Sequence, residues 1–116
     1  MLPSSILNKS LQELEQSNWG EAKYDSYLVT TIHLLRCIPL RQFGVEDLRI
    51  MIGQNIGLQY LIPLALEHLR KKPLAEGDFY PGDLLKMVLT ADPKFWLDHP
   101  EWRKEVEEIA QRAHAV

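Results

Sequence analysis

The stretch from Phe43 to Leu85 limits the fold more than any other part of the chain, because it combines the longest apolar periodic run with the densest set of helix breakers. Val45, Leu48 and Ile52, then Leu58, Leu61, Ile62, Ala65, Leu66 and Leu69, recur at steps of three and four residues. That spacing lines one face of a helix. Gly53 and Gly57 bracket Gln54, Asn55 and Ile56, where glycine allows backbone angles that a Cβ resists, so the chain can turn there. The pattern therefore predicts two packed helices. Pro63 falls beyond the first turn of the second helix, which deprives the Gln59 carbonyl of its helical donor and predicts a kink or a late start. Leu48, Ile52, Leu61, Ile62 and Leu66, with Leu85 further on, are the expected core.

The flanking segments are helical by the same criteria. Ser10-Leu11-Gln12-Glu13 fits a capping box and predicts a short helix from Leu11 to about Gln16. Asn18 to Asp25 reads as a loop carrying Trp19 and Tyr24. Asp25 or Ser26 caps the next helix, where Leu28, Thr31, Ile32 and Leu35 share a face until Pro39 stops it. Arg70, Lys71 and Lys72 suit the negative end of a helix dipole. Asp83 opens a helix after the Gly- and Pro-containing stretch Ala75 to Gly82, and Asp92-Pro93 and His99-Pro100 open two more. In the last helix Trp102, Val106, Ile109, Ala110 and Ala113 form the apolar face. No stretch alternates apolar and polar residues long enough to argue a strand. Residues 1–116 are expected to form one all-α domain, a bundle of about six or seven short helices.

Charge narrows the function classes. The formal net charge is −3, so a general affinity for nucleic acid or an anionic membrane is not expected. The acidity is concentrated. Residues 73–101 hold six acids and two bases, a local charge of −4. The lone Cys37 has no intrachain disulfide partner, and its neighbours Leu34, Leu35 and Ile38 predict a buried, unreactive thiol in a reducing compartment. The N-terminal residues lack the basic start and apolar run of a secretion signal, and no window approaches the ~20 apolar residues of a membrane span, which predicts a cytoplasmic location.

No catalytic constellation stands out. His33 and Cys37 share a helix face, but two ligands do not make a zinc site, and no metal or cofactor is expected. Glu76, Asp78 and Asp83 lack the regular oxygen-ligand alternation of a calcium loop. Asp83 fits better as a helix N-terminal residue that satisfies free N–H groups. Gly53 to Gly57 has no Gly-Lys-Ser/Thr sequence for phosphate. A binding protein is favoured over an enzyme. The alternatives are a small helical enzyme built on Glu76, Asp78 and His99, and an adaptor that takes a partner helix into an apolar groove.

Three strings, Glu46 to Gln54 (EDLRIMIGQ), Tyr60 to Leu66 (YLIPLAL) and Pro73 to Leu85 (PLAEGDFYPGDLL), resemble the immunity proteins of bacterial contact-dependent growth inhibition systems. Tyr24-Asp25-Ser26 and the stretch from Asp92 to Trp96 are similar too, so the likeness covers most of the chain. The resemblance implies a small cytoplasmic antitoxin that binds and blocks the C-terminal toxin domain delivered by a neighbouring cell, commonly a nuclease. An acidic inhibitor face suits the basic surface that a nuclease needs for phosphates. Candidate toxin contacts are Glu76, Asp78, Tyr80 and Asp83, with Trp19, Glu21 and Tyr24 in the N-terminal loop. If proteins of different toxin specificity share these strings, most of the signature is scaffold.

Overall fold

The computed structural model describes residues 2–20 and 26–114. Among them are eight α-helices: α1 (Ser4–Leu7), α2 (Leu11–Glu15), α3 (Tyr27–Leu35), α4 (Val45–Gly53), α5 (Leu58–Lys71), α6 (Asp83–Leu89), α7 (Pro93–Asp98) and α8 (Pro100–His114). A 3-10 turn spans Leu40–Gln42, and the described residues contain no strand. The all-α reading holds. The helix beyond the six or seven expected is α1, a single turn after Pro3 with no side-chain cap.

Local chemistry sets most of the boundaries. Ser10 Oγ accepts from Glu13 N at 3.2 Å while Glu13 Oε1 accepts from Ser10 N at 3.1 Å, which is the reciprocal capping box. Ser26 Oγ accepts from Val29 N at 3.1 Å, and Asp92 Oδ1 from Lys94 N at 3.0 Å just ahead of Pro93. Between α4 and α5 the positive φ angles fall at Asn55 (57°) and Gly57 (63°), whereas Gly53 stays helical. Gly53 serves a close approach instead. A Cβ there would lie 3.0 Å from the Met87 sulfur on α6. Pro63 sits inside α5, which starts at Leu58 without delay, and Gln59, whose carbonyl loses its donor, is exposed where water can serve it.

Helix α4 is the hub. It packs most extensively against α6 and α5 and also meets α3, while α8 closes over α5, α6 and α7. Leu48, Ile52, Leu61, Ile62, Leu66 and Leu85 are all buried in one core cluster, as the periodicity requires. Val106 and Ile109 bury the inner face of α8, with Trp102, Ala110 and Ala113 packed against the cluster.

The end of α3 corrects two expectations. Helix α3 stops at Leu35, the buried inward position passes to Arg36, and Cys37 is exposed. Its thiol points at Gln12 Oε1, 3.5 Å away, so the apolar neighbours in sequence do not enclose it. Leu28 also faces outward, because only Ile32 and Leu35 of α3 are buried.

Candidate functional site

The loop between α5 and α6 is held in one shape from beneath. Gly82 adopts φ 91°, a left-handed conformation that favours glycine, and its N–H bonds to Leu74 O at 3.1 Å. That turn sends the first side chain of α6 back under the loop. Asp83 is only 1% exposed, and its carboxylate accepts from Gly77 N at 2.7 Å and from Phe79 N at 3.1 Å. Most of the N–H groups that stabilise it therefore lie upstream in the loop, with Leu84 N–H in the first turn of α6 adding to them. Glu46, on α4, reaches the same loop and accepts from Asp78 N at 2.9 Å.

Arg49 lies one turn along α4 from Glu46 and joins the two carboxylates. Its Nε and Nη2 donate to Glu46 at 2.6 and 2.5 Å, and Nε lies 3.9 Å from Asp83 Oδ2. The same guanidinium sits 4.3 Å from the centre of the Phe79 ring. Gly77 threads this cluster. A Cβ at Gly77 would run into Glu46 Oε1 and would lie 3.1 Å from Asp83 Oδ2, so a larger residue fits only if the Glu46 carboxylate moves and the buried Asp83 gives slightly.

The electrostatics agree with the geometry. Hydrogen bonds from Arg49 hold the Glu46 pKa below the ordinary carboxylate value, against the opposing effect of burial. Burial is the largest influence on Asp83 and pushes its pKa up, yet the amides of Gly77, Phe79, Tyr80 and Leu84 together outweigh it and leave the pKa lowered. The Glu46 carboxylate in turn raises Arg49. All three groups are charged at neutral pH.

Above this clasp the loop displays four side chains. Glu76 and Asp78 are exposed, Phe79 is 68% exposed and Tyr80 42% exposed. Among the described residues neither Glu76 nor Asp78 has a salt-bridge partner. Four of the seven proposed contact residues, Glu76, Asp78, Tyr80 and Asp83, thus belong to one unit, with Asp83 beneath it and the other three at the surface. Glu46, Arg49 and Phe79 complete the unit and were missed by sequence reasoning. The i,i+3 spacing of Glu46 and Arg49 was the available signal.

Trp19 lies away from this loop. Trp19 is 45% exposed and rests on the buried Arg36 guanidinium, 4.1 Å from its ring centre, with His33 edge-on at 5.7 Å. Arg36 pairs with Glu15 and donates to Ser17 O at 2.7 Å, so Trp19 covers a fixed charge. Glu21 and Tyr24 lie outside the described residues. No hydrogen bond or ring contact among the described residues joins Trp19 to the α5–α6 loop.

His99 is not gathered to Glu76 and Asp78. Its ring stacks on Trp102 at 4.3 Å and lies 4.5 Å from Phe95, beside a cavity of about 300 Å³ also lined by Asp98 and Glu101. An apolar cavity of about 340 Å³ between the loop, α6 and α8 is lined by Leu74, Pro81, Leu85, Leu89, Ala110 and Ala113. No group of three or more His, Cys, Asp or Glu among the described residues is placed to hold a metal ion. No helix of the described residues is long and apolar enough to cross a membrane.

The fold and site define an all-helical domain that presents a pinned, acidic and aromatic loop on its surface. The sequence profile of a family described as CDI immunity proteins matches residues 13–106, and the chain belongs to that family. No match was found among the curated proteins or among the solved structures. The matched span contains both halves of the clasp, Glu46 to Arg49 and Gly77 to Asp83.

Proposed function

We propose that this chain, an immunity protein by family, neutralises a nuclease toxin in the cytoplasm by covering the toxin's basic face in a stoichiometric complex, without turnover. The observation that carries the reading is the α5–α6 loop. It holds two exposed carboxylates that make no salt bridge among the described residues, in the segment whose local charge is −4. A nuclease must gather phosphates on lysines and arginines, and those cations complement this loop. Opposite fields accelerate encounter, and a filled basic face excludes substrate.

The association rate tests this directly. Glu76→Lys and Asp78→Lys each leave the clasp in place and reverse one surface charge. Each is expected to slow association with the purified toxin domain severalfold at low salt and to flatten the dependence of the rate on ionic strength. Rates and salt dependence equal to wild type in both variants would remove the acidic loop from the mechanism.

A further inference from the structure

Resting on that reading, we infer that the Glu76–Tyr80 stretch enters the toxin's own nucleic-acid cleft as a mimic of a single strand, with carboxylates in the place of phosphates and rings in the place of bases. The loop departs from what folding alone requires. A phenylalanine held 68% exposed contributes little to a core, and Phe79 and Tyr80 are consecutive residues inside the Glu76–Pro81 bridge of a loop that a buried anion and an ion pair immobilise. Rigid exposed aromatics are the residues that anchor protein interfaces, because they bring large contact area at little entropic cost.

Charge selects the occupant. Glu76 and Asp78 immediately precede the rings, so the same loop of a second copy, a nucleic acid or an anionic membrane would each meet like charge here. The partner must supply cations beside surfaces that accept flat rings. A cleft for single-stranded nucleic acid has that composition, a basic track interleaved with stacking positions. Arg49 already occupies one face of the Phe79 ring at 4.3 Å, which leaves the outward face for the cleft. Glu46, Arg49, Asp83 and Gly77 act as positioning residues, since they set the loop without reaching its displayed edge.

Competition tests the inference. A cognate toxin domain is loaded in EDTA with a labelled single-stranded oligonucleotide of about ten nucleotides, RNA and DNA in separate arms. The immunity protein is expected to displace the oligonucleotide at one equivalent. Phe79→Ala should weaken binding about 30-fold and Tyr80→Ala about tenfold, mainly through faster dissociation, with the helical circular dichroism unchanged. The arm that shows displacement names the toxin's substrate. A ternary complex that keeps the oligonucleotide bound, or a Phe79→Ala/Tyr80→Ala double variant that binds like wild type, overturns the inference while leaving stoichiometric inhibition intact. A free toxin that binds neither oligonucleotide overturns this inference, and a toxin that also cleaves neither duplex DNA nor folded RNA once divalent metal is restored overturns the nuclease reading with it.

Discussion

Replacing Asp83 with alanine removes the buried anion on which the α5–α6 loop is built. Two hydrogen bonds to loop amides are lost, from Gly77 N at 2.7 Å and Phe79 N at 3.1 Å. Hydrogen bonds to a charged group contribute about 1.5–3 kcal/mol each, which sets a gross loss of about 3–6 kcal/mol. Removing the carboxylate also removes its desolvation cost, and Arg49 keeps the closer Glu46 as partner. The net destabilisation should therefore be about 2–4 kcal/mol. For a domain of this length a change of 1 kcal/mol moves Tm by about 3–6 °C, so the variant should melt roughly 6–24 °C below wild type. Asp83→Asn should fall nearly as far, because its amide group faces an N–H with a donor. The assay is urea and thermal unfolding followed by circular dichroism, with exposed Asp78→Ala as a control expected within about 0.5 kcal/mol of wild type. An Asp83→Ala protein within about 0.5 kcal/mol of wild type would falsify the clasp as a stability element.

Two further predictions concern the same molecule under other conditions. Glu46 and Asp83 both have pKa values lower in the folded chain than in the unfolded one, so the unfolded chain binds more protons as pH falls through the carboxylate range near about 4. Stability should be level above about pH 6, then decline through that range and below it, and the decline should be shallower in Asp83→Ala; equal slopes would show that Asp83 is not linked. Cys37, exposed beside Gln12, should react with a thiol reagent in the native protein about as fast as in urea, whereas protection of a hundredfold or more would mean a buried thiol.

The parts of the fold that were legible in the sequence rest on local signals. Ser10 with Glu13, Ser26 and Asp92 cap helices because the partner amide lies two or three residues away, and such pairs are visible in a single sequence. The core of α4 and α5 was legible because periodicity alone places Leu48, Ile52, Leu61 and Leu66 inward. Cys37 misled because an apolar neighbourhood in sequence implies burial only while the helix continues, and α3 had already ended at Leu35.

The site was legible only in outline. Glu76, Asp78 and Tyr80 could be singled out by composition, but the clasp joins α4 to a loop about thirty residues later, a distance that no local pattern spans. Asp83 was placed correctly at the head of a helix, where the Leu84 amide supports it, yet its closest partners are loop amides because Gly82 turns the chain back at φ 91°. Phe79 was passed over within the Gly- and Pro-containing stretch from Ala75 to Gly82. Its exposure is set by Arg49 beneath the ring, a contact made in three dimensions.

Neutralisation by binding is read most directly from toxin activity titrated against the immunity protein at a toxin concentration well above the dissociation constant. Activity should fall in a straight line and reach zero near one equivalent, with no further loss on longer incubation. Full protection by a small fraction of an equivalent would show turnover, and activity that persists through several equivalents would show that the toxin is not occluded by this protein.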